Sequence, residues 1–232
     1  MITARVRLGG AFGIASAVSV GLFAAGVWIH HSHEFSYLIW NLFLAWVPVG
    51  FSLALLYVLQ KHLWSSWSAL ALTALWVGFL PNSFYIISDL IHIQEFQRPD
   101  LLYDVVMLFS FVLNGVLLGC LSLYMVHDQL RRRMSAWGTA WLIGLVLLLC
   151  SFAIYIGREL RWNTWDVLLN PAGILVDISN RLLDVGGYAQ VGKTTLSFFV
   201  LLSGMYVVVW CAGAVLRESA MRSSKKIVRT RI

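Results

Sequence analysis

Apolar residues run along this chain in six long uncharged blocks separated by short polar segments, and that alternation predicts helices that cross a membrane. The blocks cover approximately Leu8–Ile29, Leu38–Leu59, Trp67–Ser88, Val105–Val126, Trp137–Gly157 and Thr194–Leu216, and none contains Asp, Glu, Lys or Arg. A helix rises about 1.5 Å per residue, so about 20 apolar residues cross the hydrocarbon core. Alternating strand patterns with turn signals are absent, which argues against a transmembrane β-barrel. Trp64, Trp67, Tyr103, Trp137, Trp162 and Trp165 cluster near block ends, where amphipathic rings sit at the headgroup level. The expected fold is an all-α integral membrane protein, a bundle of six transmembrane helices. Residues 1–232 form one domain, of which 217–232 are a basic tail. Composition excludes an ordinary soluble domain: mean hydropathy is +0.78 and only 12% of residues are charged.

Charge placement sets an expected orientation, because Lys and Arg concentrate in cytoplasmic segments. With the N-terminus inside, twelve basic residues fall inside: Arg5, Arg7, Lys61, Arg131, Arg132, Arg133, Arg217, Arg222, Lys225, Lys226, Arg229 and Arg231. Five fall outside: Arg98, Arg158, Arg161, Arg181 and Lys193. Both termini are therefore expected in the cytoplasm, with the chain multi-pass in the cell (plasma) membrane. The net charge of +6 and pI near 9.5 then need no nucleic acid, because basic residues beside spans attract anionic lipids at the cytoplasmic face. Arg5 and Arg7 precede an apolar run, as in a signal peptide. That run is too long for one and lacks a small-x-small exit before Trp28, so it reads as an uncleaved anchor. Cys120, Cys150 and Cys211 all lie in spans, with no disulfide or paired metal spacing.

Residues Gly187 to Thr194 (GYAQVGKT) satisfy the phosphate-loop pattern letter for letter. That loop binds nucleotide only between a buried strand and a helix N-terminus. Here an amphipathic segment precedes it and a span follows. No nucleotide is expected, and Lys193 with the glycines marks the turn into the last span.

The unusual polar residues gather at the outer ends of the third, fourth and fifth spans. Pro81 should kink the third. Beyond it Asn82, Tyr85, Asp89 and His92 are spaced 3, 4 and 3, which on an α-helix makes one face about 80° wide. Such groups avoid lipid by facing the bundle or a watery cavity. They read either as a hydrogen-bonded kink reaching the interface or as a functional site. In the fifth span Ser151, Tyr155 and Arg158 make a second stripe, which Arg161 extends, followed by Trp162, Asn163, Thr164, Trp165 and Asp166. Two arginines three apart can clamp a carboxylate or phosphate, or pair with Asp89, Asp104 or Asp166 as structural staples. Asp104 opens the fourth span on the same rim. Further in, Gly115 and Gly119, with Ser110 and Asn114, suit close helix packing and interhelical hydrogen bonds. His30, His31, His33 and Glu34 form a short loop whose geometry nothing fixes, so it reads as solvated rather than as a metal site. Asn170-Pro171 caps an amphipathic helix that lies on the outer leaflet, either roofing the rim or filling the loop.

Four ordered motifs carry a family resemblance: Trp40 to Pro48 (WNLFLAWVP), Trp76 to His92 (WVGFLPNSFYIISDLIH), Tyr103-Asp104, and Gly157 to Asp166 (GRELRWNTWD). They resemble a prokaryotic polytopic membrane family catalogued as domain of unknown function 1361, from about Trp40 to the last span. Thr164 stands where the motif carries serine. The family has no assigned activity, so the resemblance implies a membrane address and motif positions. Two function classes remain. One is an enzyme or binding protein acting on an anionic, lipid-borne substrate at the outer leaflet. There Asp89 and His92 supply acid/base chemistry or, with Asp104, ligate a divalent cation. Arg158, Arg161, Asn82, Tyr85, Asn163 and Asp166 bind the substrate. The other is a non-enzymatic envelope-assembly partner or small permease, against which stands the absence of deep charges or an inverted repeat.

Overall fold

The computed structural model describes residues 2–31, 33–95, 101–162 and 166–229. Every element within them is helical: α1 (Ile2–His30), α2 (Tyr37–Val58), α3 (Trp67–Tyr85), a 3₁₀-helix (Ile86–Glu95), α4 (Leu101–Arg131), α5 (Ala136–Glu159), α6 (Asp166–Leu169), α7 (Pro171–Leu183) and α8 (Val185–Arg229). Six stretches are long and apolar enough to cross a membrane: Arg7–Ile29, Tyr37–Val58, Trp67–Ile93, Leu101–Arg131, Ala136–Glu159 and Gly186–Ser219. Alternation of the helices leaves two ends. The α1–α2 connection, the 3₁₀-helix, α6 and α7 share one, called here the polar end. The α2–α3 and α4–α5 turns share the other, the basic end.

Local signals set several boundaries. Ser135, extended, accepts a hydrogen bond from the Gly138 amide at 3.1 Å and starts α5, satisfying a donor that the first turn leaves orphaned. Asn170 does the same for the Gly173 amide at 3.1 Å, with Pro171 as the first residue of α7. The capped helix expected there is present.

α4 is the most buried helix and the centre of the bundle, with α1, α2, α3 and the 3₁₀-helix packed around it. Its glycines allow that approach. A Cβ at Gly115 would lie 2.5 Å from the Ile86 side chain and 2.9 Å from the Ser83 carbonyl, and one at Gly119 would strike Phe84 at 2.7 Å. Hydrogen bonds across helices then fix the register, since lipid satisfies no polar group. The Trp76 indole donates to Ser122 Oγ (2.8 Å), which donates to the Pro48 carbonyl (2.9 Å). Asn114 donates to Ser19 Oγ (2.7 Å) and the Ala15 carbonyl (3.1 Å) of α1.

Two elements differ from expectation. The third span leaves α-geometry after Tyr85 and continues as ten residues of 3₁₀-helix. Pro81 lacks the amide that would bond back to Val77, yet α3 runs four residues past it; at the change of geometry Ser88 takes the terminal Tyr85 carbonyl at 2.7 Å. The last helix begins at Val185, nine residues before Thr194, so Gly187 to Thr194 are wholly helical. They form no loop of inward amides. Gly187 is instead a packing glycine: a Cβ there would lie 2.6 Å from the Arg181 carbonyl of α7.

Candidate functional site

At the polar end, α2, α3, the 3₁₀-helix, α5 and α7 enclose a cavity of about 440 Å³. Asn82, Tyr85, Asp89 and His92 all line it, with Pro81 and Gly78 below them. α2 contributes Tyr37, Trp40, Asn41 and Leu44, and α5 contributes Ala153, Ile156, Gly157 and Arg158. Ile174 of α7 closes the top, and Asp177 holds that helix there by accepting from the Trp162 indole at 2.9 Å. α7 roofs the rim. Gly157 is required where it stands, because a Cβ would meet the Tyr85 ring at 2.9 Å.

The charged groups meet at one corner. Asp89 is 1% exposed; its Oδ2 accepts from Asn41 Nδ2 at 2.8 Å and its Oδ1 lies 3.5 Å from Arg158 Nη1. Arg158 Nη2 is 3.0 Å from His92 Nε2. A guanidinium has only donors, so Nε2 accepts and the ring proton of this tautomer sits on Nδ1. The His92 ring lies 5.6 Å from that of Tyr37. Only Nη1 and Nη2 of the guanidinium contact these partners, one at a long distance, which leaves donor capacity at the cavity corner.

Several predicted members stand elsewhere. Arg161 does not continue the Arg158 face, because α5 ends at Glu159 and Arg161 takes a left-handed conformation (φ 59°) that leaves it exposed. The turn carries Trp162 back over the helix end, its amide donating to the Ile156 carbonyl at 3.4 Å. Ser151 and Tyr155 lie away from the cavity. Ser151 returns its hydroxyl to the Leu147 carbonyl of its own helix at 2.8 Å and needs no cavity partner, while the Tyr155 ring is buried beside Phe152. Asp104 is buried with Oδ2 unpaired among the described residues, and it does not line the cavity. Asp166 opens α6 outside it. Asn163 lies outside the described residues. Among the described residues no three His, Cys, Asp or Glu side chains come together in a metal-binding group.

Sequence reasoning missed Asn41. Its signal was present, since it is the sole carboxamide in the second apolar block and the rule that sends polar groups inward applies to it equally. It also missed a cluster at the basic end, having closed the fourth span at Val126. There His127 bonds the Tyr206 hydroxyl (2.7 Å) and stacks on Trp210 at 3.7 Å. Arg217 covers Tyr124 and Trp210 and pairs with Asp128 at 2.6 Å. These contacts fasten α8 to α4.

Six apolar helices, one of them buried among the others, with a mixed cavity at one end, define a multi-pass helical membrane protein. A family model described as protein of unknown function (DUF1361) matches residues 40–212, and the chain belongs to that family. Neither a curated protein nor a solved structure matches the chain.

Proposed function

We propose that the cavity binds the anionic end of an amphiphile, a carboxylate or phosphate carried on an apolar chain, at the extracytoplasmic face of the cell membrane. The observation that carries this reading is one guanidinium, Arg158, at the polar corner of a cavity whose other end is apolar and open to the flank. Leu44, Ala153 and Ile156 line the apolar part, and Trp40 and Gly78 are exposed on the bundle surface beside it. A lipid-borne ligand enters sideways past Trp40 and Gly78 without its chain leaving the bilayer. Its head then meets Arg158, held in place by the His92 ring nitrogen and, at longer range, by Asp89. A planar fork of donors suits carboxylate and phosphate oxygens. Asn82 and Tyr85 supply further polar edges. Asp89 and His92 act first as positioning residues, and they are the groups at hand for proton transfer should the bound head react.

The test uses purified full-length protein and its melting temperature with decyl phosphate, decanol or decyltrimethylammonium. Decyl phosphate should raise it, the other two much less, and Arg158→Gln should abolish the difference. Equal shifts from decanol and decyl phosphate, or an undiminished shift in Arg158→Gln, would overturn the reading.

A further inference from the structure

A second cavity, of about 350 Å³, opens at the basic end between α3, α4 and α5. Its walls are Trp76, Val77, Val126, Leu130, Ile143 and Val146. The one hydroxyl among the lining residues is already committed: Thr73 accepts from the Trp64 indole at 3.0 Å and donates to the Ala69 carbonyl at 2.7 Å. Apart from one charged side chain, the slot offers a ligand only hydrocarbon contact. Its single charged lining residue is Arg133, in the α4–α5 turn.

The arginines of this end differ in how they are neutralised. Arg132 and Arg217 both pair with Asp128, at 2.8 and 2.6 Å. Arg131 and Arg133 are exposed and have no carboxylate partner among the described residues, and of the two it is Arg133 that lines the slot. Its Nη1 donates to the Gln129 carbonyl (3.0 Å) and side-chain oxygen (2.9 Å), and its guanidinium carbon stands 5.6 Å from the centre of the Trp64 ring. Lys61 and His62, both exposed, belong to the α2–α3 turn at the same end. Along α5 the slot reaches Val146, about 15 Å down the helix from its first residue, Ala136. A more open apolar hollow, of about 740 Å³, lies on the other side of α5, lined by Trp137, Trp141, Leu145, Leu148 and Phe199, and the two share Met134 and Leu142.

We propose that this end is a site for one anionic diacyl phospholipid, with its headgroup phosphate on Arg133 and its acyl chains lying either side of α5. Charge complementarity selects the occupant. An uncompensated cation at the membrane-interface end of a dry slot matches a phosphate above an alkyl chain, and each basic residue near an anionic headgroup strengthens binding about fivefold. A soluble peptide would have to desolvate its backbone against walls that return no hydrogen bond.

The experiment is native mass spectrometry of the full chain in detergent, with equal amounts of dioleoyl phosphatidylglycerol and dioleoyl phosphatidylcholine. Wild type should retain one phosphatidylglycerol, about fivefold or more over phosphatidylcholine. Arg133→Gln should equalise the two lipids, and Val77→Phe, which fills the slot, should lower retention of both. Arg158→Gln should leave this preference intact, which separates the outcome from that of the polar-end cavity. Unchanged preference in Arg133→Gln would overturn the assignment. So would its abolition by Lys225→Gln with Lys226→Gln, which would trace the preference to the tail. Arg133 is exposed, so its substitution keeps the test decisive even if Val77→Phe fails to fold.

Discussion

Arg158 and Arg161 are three residues apart in sequence and opposite in consequence. The first reaches His92 and Asp89 inside the cavity, while the second turns into solvent in a left-handed conformation. For a residue with a Cβ that conformation costs about 1–2 kcal/mol. Arg161→Gly should therefore stabilise the protein by up to about 1 kcal/mol, after subtracting glycine's larger unfolded-state entropy. The decyl phosphate shift should survive in Arg161→Gly while it vanishes in Arg158→Gln. Thermal melts of the two variants check this, and loss of the shift in both would restore a two-arginine clamp. Asp89, His92 and Arg158 were legible in the sequence because ionisable groups at membrane depth have few places to go. Ser151 turns inward as its stripe implied but joins no shared site, because a serine in a helix satisfies itself on the preceding turn, so its presence names no partner. Arg161 was misread because helical spacing says nothing about where the helix stops.

The element that governs the site is the junction of α3 with its 3₁₀ continuation. Spacings of 3, 4 and 3 pointed to one α-helical face, yet the last two of its residues sit in 3₁₀-geometry. Asp89 and His92 still face together because a 3₁₀-helix repeats every three residues. The expectation reached the right grouping through a partly wrong helix, since a single sequence shows where Pro81 weakens an α-helix and not which helix replaces it. What supports the junction is α4, whose Gly115 admits the Ser83 carbonyl and Ile86 side chain. Gly115→Ala should cost about 1–3 kcal/mol, as overpacking against backbone does, and should weaken the decyl phosphate shift by displacing Asp89. Gly50→Ala is the control, since a Cβ there meets nothing within 4 Å and alanine favours helix by about 1 kcal/mol. Equal melting changes in the two variants would remove the junction from the account of the site.

For the whole molecule, six spans and their order could be read directly, because apolar length is a one-dimensional signal. Which helix occupies the centre could not, since that depends on pairs of small residues meeting across the bundle. Orientation rests on the basic residues alone. Asp177→Cys, in a background without Cys120, Cys150 and Cys211, should react with an impermeant thiol reagent on intact cells, and Lys226→Cys only after lysis. The reverse pattern would invert the topology and put the Arg158 cavity on the cytoplasmic side.

The last helix carries a consequence of its own. α8 is 45 residues without interruption, about 68 Å of rod, against a hydrocarbon layer about 30 Å thick. Even leaning at about 40°, the steep limit for such helices, it would spend only about 39 Å in that layer, leaving about 29 Å in headgroups and water. Its uncharged apolar run ends at Leu216, so the remaining turns, to Arg229, form a post rising from the basic end. That post carries Arg222, Lys225, Lys226 and Arg229 in its sequence. The chain thus leaves the bundle as helix for about 20 Å past its last apolar residue, where a loop would have let the backbone fold back.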